Sequence, residues 1–237
     1  YYQTNGFEIN LHLTTDCTDY TPTGLATLFT NQLNQLKAKF PSIAAPVTHR
    51  IHCIAWSGYT APAEVSRQFG IRLETSYYYW PPEWVNDRPG FMTGSGMPMR
   101  FATTNGNVLD IYQATTQMTD ESGQSYPYTI DTLLDRALGT NGYYGAFVAN
   151  IHTDADSEPG ADSIYSSAVN RGVPIVSARQ MLTWLDARNQ SSLTNIHWTG
   201  SKQAFSVLAN ANARGLQAMV PIPVGFSVTN ITRNGGT

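Results

Sequence analysis

Two hydrophobic periods take turns along the first three quarters of the chain. Phe7-Glu8-Ile9-Asn10-Leu11-His12-Leu13 alternates apolar and polar residues, as a half-buried strand does. Thr21-Pro22 then reads as a helix N-cap followed by proline at the first helical position. Leu25, Leu28, Phe29, Leu33, Leu36 and Phe40 continue as one apolar stripe at helical spacing, and Pro41 closes it. Residues 47–56 form a second predicted strand, 63–69 a short helix stopped by Gly70, and 71–79 a third strand rich in β-branched and aromatic residues. A long irregular stretch follows over 81–99, heavy in Pro, Gly and Trp, a length of loop that usually carries function.

Strand signals resume at Phe101 and over 108–112, around the Asn105-Gly106 turn. Thr129 caps a helix to Leu138, residues 144–151 read as a strand, 163–170 as a helix and 173–176 as a strand. Ser177-Ala178-Arg179-Gln180 is a capping box opening a last helix with Met181, Leu182, Trp184 and Leu185 on its apolar face. After Arg188 the helical period disappears. Short strands are expected at 195–199, 204–208, 216–222 and 226–231, so a boundary is placed near Asn189, ahead of a small all-β module. Strands alternating with helices predict an α/β fold with a mainly parallel sheet or barrel and helices outside. Chemistry in such folds gathers at the C-terminal ends of the strands.

Composition narrows the function. Of 237 residues 41% are hydrophobic and only 13% charged, about half the usual charged share. Fourteen basic against 17 acidic residues give a net charge of −3, which excludes a basic nucleic-acid grip and a polybasic membrane patch. No apolar run is long enough for a membrane span. Polarity is carried by Ser, Thr, Asn and Gln, with 13 Tyr, a surface chemistry suited to an extracellular protein that meets sugars. Sequons at Asn189 and Asn230 carry little weight in a chain so rich in Ser and Thr. Tyr1 is not an initiator Met, and the chain stops on a turn signal, so a piece of a longer secreted protein is expected. Cys17 and Cys53 are either a disulfide closing a long loop or two free thiols.

Among five histidines, His12, His52 and His152 fall at the predicted C-terminal ends of strands. His12 and Asp16 stand four apart, a spacing that lets an imidazole and a carboxylate share one divalent ion if that segment makes a helical turn. Arg50, beside His52, can orient a carboxylate through a bidentate pair, while His49 alternates away towards the helices.

These residues resemble the motifs of the polysaccharide deacetylases, the NodB-homology carbohydrate esterases. Gly6 to His12 is similar to the family's second motif, with His12 matching its first metal-binding histidine and Asp16 standing where the second is expected. Thr48 to Cys53 resembles the third motif, with Arg50 matching and His52 in place of a proline. Phe147 to His152 resembles the fifth, whose histidine is the general acid, with Asn150 in place of a leucine. Glu74 and the aromatics from Tyr77 to Trp80 echo the fourth. The family's first motif, an Asp-Asp pair, is expected upstream of Tyr1.

The resemblance covers roughly residues 6–188. It implies a distorted or incomplete (β/α) barrel of the polysaccharide deacetylase type over 1–188, lacking its first strand, with the all-β segment at 189–237. It implies a secreted metal-dependent deacetylase removing N-acetyl groups from a polysaccharide, with zinc as the expected ion. The expected ligands are His12, Asp16 and His52. Arg50, Glu74 and His152 are the expected catalytic groups. Tyr79, Trp80 and Trp84 would line the sugar groove, and a Cys17–Cys53 bridge would pin two site-bearing strand ends together. The alternative is a non-catalytic domain of the same type that binds glycan or builds a cell-surface assembly, with an open sheet edge available for self-association.

Overall fold

The computed structural model describes residues 1–76, 88–91, 93–120, 123–140, 142, 145–153 and 158–233. Tyr79, Trp80 and Trp84, the expected sugar-groove residues, lie outside the described residues. The fold is mixed α/β, with a mostly parallel central sheet. The chain divides into two compact units, 1–182 and 183–237.

In the first unit, β1 (Leu11–Leu13), β2 (Thr48–Ile51), β3 (Leu73–Glu74) and β5 (Val108–Gln113) run parallel in that order. β4 (Met99–Ala102) closes one edge antiparallel to β5, leaving β1 as the other edge. β6 (Thr116–Thr119) follows β5 after two residues and pairs parallel with β7 (Val148–Asn150). The run 108–119 therefore passes from one sheet to the next, tied along β3 by Ala114 N–H to Glu74 O (2.8 Å) and Thr116 Oγ1–H to Thr75 O (2.7 Å).

The helices form where local chemistry starts them. α1 (Pro22–Lys39) begins at Thr21, whose hydroxyl accepts from Gly24 N–H at 3.0 Å. Its stripe packs on β1 and β2: Leu25 and Phe29 are fully buried with Leu13 and Ile51, and Leu28, Leu33 and Leu36 lie against them. Each such buried side chain contributes about 1.5–3 kcal/mol. Phe40, read as part of the stripe, is exposed because the helix ends one residue earlier. α2 (Ala61–Gln68) completes this layer. α3 (Tyr128–Leu138) and α4 (Pro159–Asn170) share a second core with Met118 of β6. α5 (Ala178–Asn189) opens on the expected capping box: Gln180 N–H to Ser177 Oγ at 3.3 Å, and Ser177 N–H to Gln180 Oε1 at 2.8 Å.

Several elements differ from the pattern. No strand forms over 173–176, and of the strand expected at 144–151 the described residues 145–151 hold only β7. β6 has no hydrophobic alternation because three of its four buried residues, Thr116, Gln117 and Thr119, are polar. In the second unit β8 (Ser192–Trp198) and β9 (Gln203–Leu208) make an antiparallel hairpin, while 216–222 and 226–231 form no strand. A β-type apolar pattern makes a strand only where a neighbour completes its hydrogen bonds. Among the described residues no helix is long and apolar enough to cross a membrane.

Candidate functional site

Register decides which side chains can meet. His12 is the Cα partner of Arg50 across β1–β2, so both project from one face, while the flanking Leu11 and Leu13 go to the core. One residue out of phase, His49 pairs with Glu74, and Glu74 with Gln113, on the opposite face. His49 accordingly packs on the Phe29 ring (5.1 Å between centroids) and bonds Ser66 of α2 through Nε2 (3.2 Å).

The face of His12 and Arg50 lines an open cavity of about 740 Å³, which also takes in Glu8, Thr75 and His152. His152 arrives two residues past the end of β7. His12 and His152, 140 positions apart by their numbers, thus border one cavity.

His12 Nδ1 lies 3.1 Å from the carbonyl oxygen of Arg50. A carbonyl only accepts, so Nδ1 carries the hydrogen and Nε2 keeps its lone pair. Burial lowers the His12 pKa, and the neighbouring positive groups of His52, Arg50 and His152 lower it further against the opposing carbonyl bond. Arg50 is braced by Thr75 O (2.9 Å) and Thr116 Oγ1 (2.6 Å).

His152 is held twice by one carboxylate. Its backbone N–H donates to Asp120 Oδ2 at 2.7 Å, and its Nδ1 stands 2.9 Å from Oδ1. Burial acts to raise the Asp120 pKa, but these His152 bonds and the imidazole charge together bring it below the usual carboxylate value. Asp120 follows directly on β6, and sequence reasoning missed it along with that strand. The legible signal was an acidic residue in the polar run Thr119-Asp120-Glu121.

Glu8 is the second missed residue. It accepts from Thr48 Oγ1–H (2.6 Å) and from Arg179 N–H in the first turn of α5 (2.7 Å), where a carboxylate is favoured by the helix dipole. Thr48 also bonds closely with Asn10.

Other expected site residues lie elsewhere. Glu74 is fully buried but does not line the cavity, because the period of two turns it to the His49 face. Burial pushes its pKa up to about 8. Asp16 is exposed and accepts from Thr18 Oγ1–H (2.7 Å), a hydrogen bond that holds its pKa below the usual value. The segment after β1 is not helical, so the four-residue spacing does not bring Asp16 over His12.

Cys17 and Cys53 form a disulfide linking the segment after β1 to the turn after β2. Both cysteines have left-handed backbone, φ 62° and 59°. Closing a loop with a sequence separation of 36 stabilises the fold by about 3–4 kcal/mol on the chain-entropy argument. His52 Nδ1 lies 2.9 Å from Cys53 Sγ, and its ring centroid is 5.5 Å from that of His12.

These donors fit a metal in part. The His12 and His52 rings stand edge to face with centroids 5.5 Å apart, near enough for an ion bonded at about 2.0–2.1 Å to a nitrogen of each, although His52 does not border the cavity. Among the described residues, Cys17, His52 and Cys53 are the one set of three donors close enough for a single ion, and the two sulfurs are joined to each other rather than available as thiolates. Asp16 is not in that set. Neither a family model, nor a curated protein, nor a solved structure matches the chain.

Proposed function

We propose that the first unit is a secreted metal-dependent deacetylase, removing N-acetyl groups from an extracellular polysaccharide, on an incomplete (β/α) barrel. The observation that carries this is the single cavity bordered by His12, Arg50 and an Asp120-held His152. The parallel strands, the run 108–119 bridging two sheets and the site at strand ends support the barrel. The disulfide supports an oxidising, extracellular setting.

Hydrolysis of an acetamide needs a proton taken from the water that adds to the carbonyl carbon and delivered to the amine as the C–N bond breaks, and charge stabilisation at the carbonyl oxygen. His152 performs the first. Asp120 fixes its Nδ1–H, so proton exchange with substrate runs through Nε2, and the carboxylate stabilises the imidazolium form. Arg50, with its guanidinium braced, brings positive charge to the same cavity. A divalent ion, zinc first, would be held by His12 Nε2 and His52, and would supply Lewis acidity. His12 suits that place because burial favours its neutral imidazole and the carbonyl bond fixes its ring.

Acetate release from chitin-like, galactosamine-based and peptidoglycan polymers tests the reading. His152→Ala is expected to lower kcat by about 10²–10⁴-fold; a rate equal to the parent's refutes the assignment. Asp16 bound to Thr18 rather than set beside His12 favours the second reading, a non-catalytic glycan-binding domain. That reading prevails if the zinc-loaded protein releases no acetate from any of the three.

A further inference from the structure

The apolar lip of the cavity has no part in the chemistry above. Phe7 has the same strand parity as the core residues Leu11 and Leu13, yet it is 62% exposed and lines the cavity. Ile175 and Val176, ahead of α5, border the same cavity and are also exposed. The Glu8 to Arg179 N–H bond ties these two stretches of chain together.

A built turn holds Phe7 in place. Residues Gln3–Asn5 form a 3-10 turn, and Gly6 closes it with left-handed backbone (φ 84°). Phe7 N–H donates to Tyr2 O at 3.1 Å. The Tyr2 ring then meets Phe7 edge-on, with centroids 5.8 Å apart and planes at 90°. Two large rings are thereby fixed in water beside the cavity rather than folded into the core, an arrangement that marks a binding surface when it adjoins a pocket.

The same cavity is lined by Asn150, Thr153, Ser177 and Gln180, which offer neutral hydroxyls and amides, while the Glu8 carboxylate beside Phe7 is engaged by Thr48 and Arg179 N–H. Aromatic and aliphatic faces beside neutral hydrogen-bonding groups match the chemistry of a pyranose, whose C–H face is apolar and whose rim is hydroxylated.

We propose that Phe7, backed by Tyr2 and accompanied by Ile175 and Val176, forms a sugar-ring subsite. It takes a pyranose of the polymer next to the one whose acetamide lies at His12 and His152. The inference rests on the deacetylase reading and adds to it a residue that selects polymer over monomer.

The test is calorimetric titration of the full chain with N-acetylglucosamine and N-acetylgalactosamine pentamers and with the two monomers, alongside acetate release. The parent protein is expected to bind at least one pentamer more tightly than its monomer. Phe7→Ala is expected to weaken that pentamer about 3- to 10-fold, Phe7→Trp to restore it, and Tyr165→Ala, exposed on α4, to leave it unchanged. Pentamer affinity unaltered in Phe7→Ala, or no pentamer binding by the parent, overturns the subsite. Acetate release abolished by His152→Ala, with Phe7→Ala binding unaltered, overturns the subsite alone. Phe7-dependent pentamer binding without acetate release keeps the subsite and overturns the hydrolytic reading.

Discussion

His49 should give this protein an acid sensitivity that Glu74 masks, and removing the imidazole should show it as a gain of stability at acid pH. The imidazole is fully buried between Phe29 and Ser66, and its Nδ1 has no hydrogen-bond partner among the described residues. Burial lowers its pKa from 6.5 to about 3. The stabilising contribution of the neutral ring is complete above pH 6.5 and is lost as pH falls towards 3, because the unfolded chain takes up a proton that the folded one refuses. Glu74 acts in the opposite sense. Its pKa rises from 4.5 to about 8, so its contribution is complete below pH 4.5 and is lost as pH climbs towards 8. Each slope is about 1.4 kcal/mol per pH unit, and between pH 4.5 and 6.5 the two cancel. In His49→Gln, which does not titrate, the Glu74 slope stands alone. Relative to the parent, the variant should therefore gain about 2–3 kcal/mol on going from pH 6.5 to 4.5, whatever constant offset the substitution brings. Urea unfolding at half-unit pH steps, with the disulfide intact, measures this difference. Parallel stability curves for the two proteins over that window would falsify the account of His49, and a variant curve that does not rise towards pH 4.5 would refute that of Glu74.

Asp120→Asn should cut kcat for acetate release about 100-fold or more with little change in KM, because an amide cannot stabilise the His152 imidazolium. A shift of the acidic or basic limb of the pH–rate profile would separate this from a merely structural effect, and an unchanged profile and rate would rule the dyad out. Phe29→Ala, removing a fully buried ring stacked on Phe69 at 5.0 Å, should cost about 3–5 kcal/mol. The measurement is a lower urea midpoint at an unaltered m-value, and a loss under 1 kcal/mol would show that this core is not packed as described.

The sequence by itself determined what neighbours along the chain can encode. Thr21-Pro22 set the start of α1, and the Ser177–Gln180 capping box set the start of α5. Both work through side chains within three residues of the orphan N–H groups they satisfy. The strand–helix alternation fixed an α/β class, and the alternation around His12 fixed that it points away from the core. Only the tertiary structure decided the rest. Whether Glu74 shares a face with Arg50 or with His49 is a matter of register between strands, and one residue of phase reverses the answer. β6 escaped notice because its buried residues are mostly polar, their burial coming from strands 30 and more residues away, and Asp120 escaped with it. Asp16 stands at the expected distance in sequence from His12, but the backbone between them is not a helix, so separation along the chain did not become proximity in space.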